Sequence, residues 1–475
     1  MNITQLPSTL DHAALKPRIL HIGFGAFARA HQFVYLQEVL DAQGGDWGVV
    51  AVRLNSGAEA LSELDAANHR FTVIEADDTQ MTAREIGVIC GTCHPLRDGR
   101  DALLDLFAGE HMSIVALTIT EKGYCLSGGA LDRAHPGIQA DLDAPKAPKT
   151  AIGIIVEGLA RRQAAGLGGL SVLSCDNLPE NGVLARAAVL EFARLRDAAL
   201  ADWIAANVTF PATMVDRIVP ALDSAGASLL AEVTGHDDPN GIICEPFRQW
   251  VIEDNFAAGR PAWDSVGAQL VSDVRPFEEM KLRMLNGAHT FLATLGSLAG
   301  HRTVADCMND PLFVQATRAL MMNEQAVTLA PLEGVDLAAY ADALLARFAN
   351  SRLHHKTAQI ATDTSVKLPQ RILAAMAANI DAGRDCPLQA LAVAGWMAHV
   401  KTTVDAGNTL ADPMAATLTG IAQKAGDAYV DKLLALREIF PQELAAKPGF
   451  ADAIRAAYQS VTTHGARNAI TAVLS

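Results

Sequence analysis

Three polar residues with different chemistry, Lys281, Asn286 and His289, lie within one short stretch of the chain. On an α-helix, at about 100° per residue, their side chains fall within an arc of roughly 140° and share one face. An amine whose pKa is lowered by burial can exchange a proton with an alcohol, an amide can polarise a carbonyl, and an imidazole can orient a hydroxyl. A surface lysine on an amphipathic helix is the alternative. The combination predicts an acid/base site for alcohol–ketone chemistry.

Alcohol–ketone redox also needs a hydride carrier, and a glycine-rich turn near the start of the chain fits one. An apolar run ending at Ile22 is followed by Gly23-Phe-Gly25-Ala-Phe-Ala28 and a helical pattern. Gly23 would permit a tight turn, Gly25 would let the backbone approach a pyrophosphate, and Ala28 would pack helix on strand. An ordinary strand-to-helix turn is the alternative. The order of the elements favours a dinucleotide site.

The residues after the second strand bear on which dinucleotide is bound. This strand ends in Val52-Arg-Leu-Asn-Ser56, without the acidic residue that usually holds the ribose of NAD. Arg53 could meet a 2′-phosphate, or it could be a solvated charge at the strand end. The sequence predicts NAD as cofactor and leaves NADP open.

The pattern along the chain predicts the elements that position these residues. Strand-like runs at Trp47–Leu54, Met112–Thr120 and Gly169–Ser174 alternate with helical patterns at Ala28–Asp41 and Ala151–Ala165. Such alternation indicates a parallel sheet with helices on both faces. From about Phe277 onward, long Ala/Leu segments at helical spacing dominate: Asp336–Ala349, Gln370–Ala382 (followed by Gly383 as a stop) and Gln389–Thr403. We therefore predict an α/β fold: a Rossmann-type, doubly wound, dinucleotide-binding domain over residues 1–275, then a mostly α-helical, substrate-binding and catalytic domain over 276–475.

A polar cluster, Ser174-Cys-Asp176-Asn177, follows the strand that ends at Ser174. In open α/β sheets the ligand crevice lies at the carboxyl ends of the strands. Asn177 could therefore donate to a substrate oxygen, or Asp176 and Asn177 could merely cap the next helix.

Composition limits the class of partner. The chain has 475 residues, a formal charge of −15 and seven cysteines. The negative charge disfavours nucleic acid and anionic membranes, and the sparse cysteines argue against a disulfide framework and a catalytic zinc set. A signal peptide and an apolar run of membrane-spanning length are not evident. We expect a cytoplasmic, metal-free protein acting on a small molecule.

Several segments together resemble one family over nearly the full length, the polyol-specific long-chain (mannitol) dehydrogenases. The segments that carry the resemblance are Gly23–Gln32, Thr118–Tyr124, Ser174–Gly182, Thr213–Ile218, Glu245–Trp250 and Lys281–His289. The resemblance implies Lys281 as general acid/base, with the other site residues grouped around it. Implied at the catalytic centre are the carbonyl-polarising donors Asn177 and Asn286, the hydroxyl partner His289 and the proton gate Glu278; implied at the cofactor are Gly23, Gly25, Phe27, Ala28, Thr120, Glu121 and Asp216. It also implies a metal-free monomer or weak homo-oligomer.

The segment His355–Arg371 looks like the fructuronate reductase (D-mannonate oxidoreductase) branch, since the mannitol branch usually has Arg at Gln359. A uronate carboxylate would require cations, and the predicted substrate residues are Lys356, Gln359, Lys367 and Arg371. Ordinary helix-start charges are the alternative for the three cations. The chain departs from common family residues at Ala28, Ala358 and Thr364. The predicted function is NAD-dependent reduction of D-fructuronate to D-mannonate; a polyol dehydrogenase acting on mannitol, arabinitol or a related alcohol, and a non-catalytic dinucleotide-binding regulator, stay open.

Overall fold

The computed structural model describes residues 3–332, 334–353 and 355–475. The chain divides into two compact units, Met1–Arg275 and Pro276–Ser475, which are described separately below. The strands, all in the first unit, are β1 Ile3–Leu6, β2 Lys16–Ile22, β3 Trp47–Val52, β4 Phe71–Ala76, β5 Met81–Ile86, β6 Ile89–Cys93, β7 Ile114–Leu117, β8 Leu126–Ser127, β9 Ala130–Leu131, β10 Ser171–Ser174, β11 Thr213–Asp216, β12 Ile242–Cys244, β13 Gln249–Glu253 and β14 Gln269–Val271.

The first unit is built on a parallel sheet with strand order β10-β7-β2-β3-β6. Ile22 at the end of β2 is in register with Val52 of β3 on one side and Leu117 of β7 on the other. The strand order therefore reverses between β2 and β7, which is where open α/β sheets bind ligands. This sheet confirms the predicted Rossmann-type fold.

Alternate residues of the central strands enter different hydrophobic clusters. Leu20 and Ile22 pack in one cluster, whereas Ile19 and Val49 pack in the other. This alternation with a period of two follows from the pleat of a strand and covers both faces of the sheet with helices. The helices of this unit are α1 Ala26–Ala30, α2 Gln32–Gln43, α3 Ala58–Ala66, α4 Arg100–Leu106, α5 Thr120–Gly123, α6 Pro136–Asp143, α7 Ala151–Ala164, α8 Asn181–Arg196, α9 Ala198–Asn207 and α10 Ser224–Thr234.

The helix expected over Ala28–Asp41 is broken at His31. The backbone of His31 leaves the helical region (φ −119°, ψ −81°), so α1 ends there and α2 begins. The His31 ring is buried, and its Nε2 lies 2.9 Å from the carbonyl oxygen of Gln249. The unbroken helix of the sequence-based prediction is wrong at this residue because the buried ring pairs with another strand.

Further sheets in the first unit were not predicted. One has strand order β1-β5-β4-β12 and a second has the order β11-β13-β14. β11 is antiparallel to β13, so that Asp216, the last residue of β11, is opposite Gln249. These sheets extend the unit beyond the five central strands.

The second unit is helical, and its described residues between Pro276 and Ser475 form no named strand. Its helices, the first of which begins at the unit boundary, are α11 Arg275–Met280, α12 Gly287–Phe291, α13 Val304–Met308, α14 Pro311–Ala319, α15 Leu337–Ala349, α16 Thr357–Ile360, α17 Thr364–Leu368, α18 Ala374–Asp381, α19 Pro387–Asp405, α20 Ala415–Lys424, α21 Tyr429–Leu434, α22 Gln442–Ala445 and α23 Phe450–Leu474. Most residues of α19 are buried, so this helix forms the centre of the unit. Gly383 follows α18 with φ +66°, as expected of a helix stop.

π-helical turns interrupt the α-helices of this unit. They span Lys281–Asn286, Leu292–Gly296, Leu320–Gln325 and Pro369–Leu373. The first of them contains two of the predicted catalytic residues. π turns are uncommon and concentrate at functional sites, so the segment from α11 to α12 is a candidate functional site.

Candidate functional site

The glycine turn lies between the ends of β2 and β7. Gly23 has φ +106°, and a Cβ on it would overlap the carbonyl oxygen of Thr118. The Thr118 hydroxyl donates to the Gly23 carbonyl oxygen at 2.6 Å. Gly25 precedes α1, and a Cβ there would meet only the Gly23 carbonyl oxygen, at 3.6 Å. The fold therefore requires glycine at position 23, whereas Gly25 keeps the backbone accessible.

A cavity of about 540 Å³ opens beside this turn. It is lined by Ile22, Gly23, Phe24, Gly25, Arg53, Leu54, Asn55, Ser56, Thr118, Ile119, Lys122, Gly123, Cys125, His135, Lys149, Thr150 and Ala151. Three of these described lining residues, Arg53, Lys122 and Lys149, are cations and none is Asp or Glu. In a chain of net charge −15, a cavity with this lining suits phosphate groups.

Only part of the set of predicted cofactor residues lines this cavity. Gly23 and Gly25 line the cavity, whereas the other five predicted residues are outside the lining. Those five are Phe27, Ala28, Thr120, Glu121 and Asp216. The Phe27 ring stacks on His31 with centroids 4.9 Å apart, and Ala28 is fully buried. Asp216 is buried close enough to His31 to oppose the effect of burial on the pKa of that imidazole.

Arg53 is not the solvated strand-end charge that the sequence allowed. Its Nε donates to the Phe24 carbonyl oxygen at 2.8 Å, and its guanidinium carbon lies 5.9 Å from the centroid of the Phe24 ring. A Cβ on Gly57 would overlap the guanidinium. Arg53 therefore supports the glycine turn from the end of β3 and still lines the cavity.

Asp176 connects the ends of two strands instead of capping α8. Its carboxylate accepts hydrogen bonds from Ile119 N (3.1 Å), Thr120 N (2.8 Å) and the Tyr124 hydroxyl (2.7 Å). Thr120 has φ +64°, a left-handed conformation that is costly for a residue other than glycine. Burial of Asp176 raises its pKa, and these hydrogen bonds oppose the rise. The capping alternative is wrong for Asp176, because α8 begins only at Asn181.

Asn181 continues this polar network toward β11. Its amide nitrogen donates to the carbonyl oxygens of Asp176 (3.0 Å) and Thr213 (2.8 Å), and its amide oxygen accepts from Thr213 N at 2.9 Å. Asn177 itself is exposed directly after Asp176. The network thus fixes the backbone on both sides of Asn177, a role that the sequence did not reveal.

In the second unit, the segment from Lys281 to Asn286 is a π turn, so the arc calculated for an α-helix is wrong. A π turn closes hydrogen bonds between residues five apart. Lys281 and Asn286 are separated by five residues and therefore follow one another along the same side of the helix. Both side chains are half-buried, as is that of Glu278. The arrangement lets an amine and an amide approach one small polar group.

His289 follows on α12 and is buried in a neutral form. Its ring contacts Phe348 (centroids 4.6 Å apart) and His355 (5.1 Å apart), and its Nε2 has no hydrogen-bond partner among the described residues. Burial, followed by the charges of His355, Arg371 and Arg347, lowers the pKa of His289 well below its ordinary value. A neutral imidazole can donate to or accept from a hydroxyl group.

Gly287 explains how a neighbouring segment reaches this helix. A Cβ on Gly287 would overlap the side-chain amide of Gln325 and lie 2.7 Å from the carbonyl oxygen of Arg371. Glycine here lets the backbone at Arg371 pack directly against α12. The glycine in the sequence pattern Asn286-Gly-Ala-His289 is therefore required for packing.

The four predicted substrate residues differ in exposure. The side chains of Lys356 and Gln359 are exposed, whereas those of Lys367 and Arg371 are half-buried. Lys367 Nζ donates to the Thr362 carbonyl oxygen at 2.6 Å. Burial lowers the pKa of Lys367, with Arg371 adding to the effect. Only Lys367 and Arg371 are thus placed as partly desolvated cations.

The remaining departures from common family residues are placed as follows. Ala358 is exposed, and Thr364 is buried with its hydroxyl donating to the Ala361 carbonyl oxygen at 2.8 Å. Across the described residues, groups of three or more His, Cys, Asp or Glu that could hold a metal ion are not found. Likewise, within that part of the chain, no helix is long and apolar enough to cross a bilayer.

Comparison with known proteins identifies the family. The sequence matches the model of the mannitol dehydrogenase Rossmann domain over residues 17–265 and that of the mannitol dehydrogenase C-terminal domain over residues 273–462. It is 48% identical to the uncharacterized oxidoreductase YeiQ of Escherichia coli (strain K12), covering 97% of this chain and 95% of YeiQ. It is 47% identical to the D-mannonate oxidoreductase of the same organism, covering 98% and 97% of the two chains.

Among solved structures, the chain is similar to Pseudomonas fluorescens mannitol 2-dehydrogenase in its ternary complex with NAD and D-mannitol. The TM-score is 0.85 at 39% sequence identity, with 99% of this chain and 96% of that chain covered. Matches of this identity over nearly the whole chain establish the family. The substrates named for these relatives differ, so the family alone does not identify the substrate. The chain belongs to the mannitol dehydrogenase family of oxidoreductases.

Proposed function

We propose that this protein is an NAD-dependent oxidoreductase that reversibly reduces the ketone of D-fructuronate to D-mannonate. The observation that carries the oxidoreductase chemistry is the π turn that aligns Lys281 with Asn286, one turn before the neutral His289. The choice of a sugar acid is supported by 47% identity to a D-mannonate oxidoreductase and by the partly buried cations Lys367 and Arg371.

NAD fits the cavity beside the glycine turn. Gly23 and Gly25 would hold the pyrophosphate, because the lining offers exposed backbone, cations and no described carboxylate. When bound as NADH, the cofactor supplies the hydride to the carbonyl carbon. We further propose that the first unit binds the cofactor and that the second unit carries the residues for substrate chemistry.

Lys281 then has the role of general acid in ketone reduction. As the carbonyl carbon receives the hydride, the oxygen gains negative charge and takes a proton from the Lys281 ammonium group. Asn286 donates a hydrogen bond to that oxygen, and a donor aimed at developing charge lowers the barrier. His289 binds a substrate hydroxyl, and Glu278 exchanges the proton of Lys281 with solvent. In alcohol oxidation, neutral Lys281 takes the proton back.

A polyol substrate is the second candidate function. It is favoured by the 39% identity to mannitol 2-dehydrogenase over nearly the whole chain. A protein that binds dinucleotide without catalysis is a third, against which the intact set of Lys281, Asn286 and His289 argues.

One kinetic experiment separates these candidates. NADH oxidation is followed with a panel of keto-uronates and ketoses, including D-fructuronate and D-fructose, and the reverse reaction with D-mannonate, D-mannitol and D-arabinitol. We expect D-fructuronate to give the highest kcat/KM. A higher value for fructose or mannitol would assign the protein to the polyol class. Retained NADH binding without turnover of any substrate would indicate the regulator.

A further inference from the structure

Arg371 is a half-buried cation without an acidic neighbour among the residues that the structure describes. Its guanidinium makes no hydrogen bond or ion pair with the residues that the structure describes, and burial alone lowers its pKa to about 10. Desolvating a guanidinium is costly unless an anion compensates it. Arg318 of the same unit, by contrast, has that compensation within the chain from Asp342.

Lys367, one helical turn before Arg371, differs from it in this respect. Its ammonium group donates to the Thr362 carbonyl oxygen at 2.6 Å. Asp363 and Asp412 lie close enough to raise its pKa against the effect of burial. Lys367 therefore has acceptors from the protein, whereas Arg371 does not among the described residues.

Arg371 lies close to His289. The Arg371 backbone packs against Gly287, and the charge of Arg371 contributes to the low pKa of His289. His355 has its ring at 79° to that of His289, with centroids 5.1 Å apart. The His355 backbone is fixed because its carbonyl oxygen accepts from Val304 N at 3.0 Å. The His355 ring is half-buried and has no hydrogen-bond partner in the described chain.

We propose that Arg371 and His355 form the subsite that binds the carboxylate of a sugar-acid substrate. The guanidinium offers a planar pair of N–H donors that matches the two oxygens of a carboxylate, and the imidazole offers one more N–H donor. Lys356 and Gln359 are exposed, and Lys367 is already engaged, so the anion is recognised beside His289 and not at the start of the substrate segment. This assignment rests on the proposed function and adds the residues that select an acid over a neutral sugar.

The test compares an acidic substrate with its neutral analogue in each variant. In Arg371→Gln we expect kcat/KM for D-fructuronate to fall by about 10²-fold, mainly through KM, because a buried charge-assisted pair is lost. We expect kcat/KM for D-fructose to change by less than about 3-fold, since it makes no such pair. Arg371→Lys should restore part of the loss because it keeps the charge without the planar pair. Arg318→Gln, which removes an exposed cation from the same unit, should leave kcat/KM unchanged for both substrates.

His355 is tested with one variant that keeps a donor and one that does not. His355→Gln should bind D-fructuronate with nearly the wild-type KM, whereas His355→Phe should raise that KM by roughly tenfold through loss of one hydrogen bond to a charged group. Unchanged NADH affinity and circular dichroism establish that each variant is folded. Equal losses for acidic and neutral substrates in Arg371→Gln would overturn the proposal, because the role would then be packing around His289.

A binding measurement tests the carboxylate subsite independently of the proposed reaction. Thermal shifts are measured with D-mannonate and D-mannitol in the presence of NADH. A shift with D-mannonate that disappears in Arg371→Gln supports the subsite even if no substrate turns over, in which case only the proposed function fails. A wild-type protein that is stabilised equally by D-mannonate and D-mannitol would overturn the subsite.

Discussion

At the scale of single residues, the catalytic proposal depends most on Lys281. We expect Lys281→Ala to lower kcat by about 10²–10⁴-fold, the usual effect of removing a positioned general acid/base. NADH binding should change little, because the described residues that line the cavity at the glycine turn belong to the first unit. Partial recovery of kcat with an added small amine would identify proton transfer as the lost function. Near-normal activity would place the acid elsewhere, and Lys432→Ala serves as the exposed-lysine control.

Replacing the two glycines of the same turn is expected to have different effects. Gly23→Ala should destabilise the protein and abolish NADH binding, because the added Cβ overlaps the Thr118 carbonyl oxygen at a left-handed backbone position. Gly25→Ala should fold normally, since its Cβ would have only an ordinary contact at 3.6 Å, yet bind NADH at least about tenfold more weakly by crowding the pyrophosphate. Melting temperature and NADH fluorescence separate stability from affinity. Normal NADH affinity in Gly25→Ala would contradict pyrophosphate binding at this turn.

Cofactor preference is predicted at Arg53. We expect a higher kcat/KM with NADH than with NADPH, because the Arg53 side chain is held by the Phe24 carbonyl oxygen and lies against Gly57. Initial rates with both cofactors at matched ionic strength are the measurement. If NADPH is equal or better, Arg53→Ala and Ser56→Asp would show whether a 2′-phosphate binds at the end of β3.

The sequence was sufficient for residues whose role depends on local spacing and insufficient for those whose role depends on distant partners. Gly23 and Gly25 follow a strand directly, so their positions at the cavity could be predicted. Asp176 could not be distinguished from a helix cap, because its partners Ile119 and Thr120 lie more than fifty positions away. His355 gave no separate signal, since its closeness to His289 arises only from tertiary packing of segments that are distant in sequence.

At the scale of elements, the Asp176 network is the connection between β7 and β10. We expect Asp176→Ala to lower the free energy of unfolding by about 1–3 kcal/mol, because partly buried backbone N–H groups and the buried Tyr124 hydroxyl lose their acceptor. Activity should fall more than in Asp223→Ala, which removes only the exposed cap of α10. Urea unfolding and NADH oxidation measure the two effects. If both variants have equal activity, the network does not position the site.

Four of the five central strands (β2, β3, β7 and β10) and the main helices could be predicted because their periodicity is strong and local, whereas β6 was missed. The sheets containing β4, β5 and β11 were missed, since their short strands carry mixed polar and apolar residues and since β1 and β12 pair with β5 and β4 across long separations. The π turn at Lys281–Asn286 was also missed. A hydrophobic pattern with a period of 3.6 does not reveal a single turn that closes over five residues, because α-helices flank it on both sides.

At the scale of the whole molecule, buried neutral histidines should make stability depend on pH. Burial lowers the pKa of His21 and of His31 to about 3, and the pKa of His289 is also well below its ordinary value. The unfolded chain therefore binds protons near pH 6.5 that the folded chain does not. Stability should fall as pH drops below about 6.5, by up to about 1.4 kcal/mol per pH unit for each histidine.

This pH dependence is measured by urea unfolding between pH 7.5 and 5, above the range in which most carboxylates titrate. His21→Gln should reduce the slope, whereas His464→Gln, at an exposed position, should leave it unchanged. A free energy of unfolding that stays constant over this interval would mean that the buried imidazoles are charged in the folded protein.

The π turn at Lys281–Asn286 also decides which side chains can act together. It closes over five residues, one more than an α-helical turn. If the same residues formed an α-helix instead, Asn286 would lie about 140° around the helix from Lys281. A relative that kept the lysine and the asparagine at this spacing but lacked the π turn would therefore hold them on different sides of the helix. The form of this turn is thus as informative about activity as the identity of the two residues.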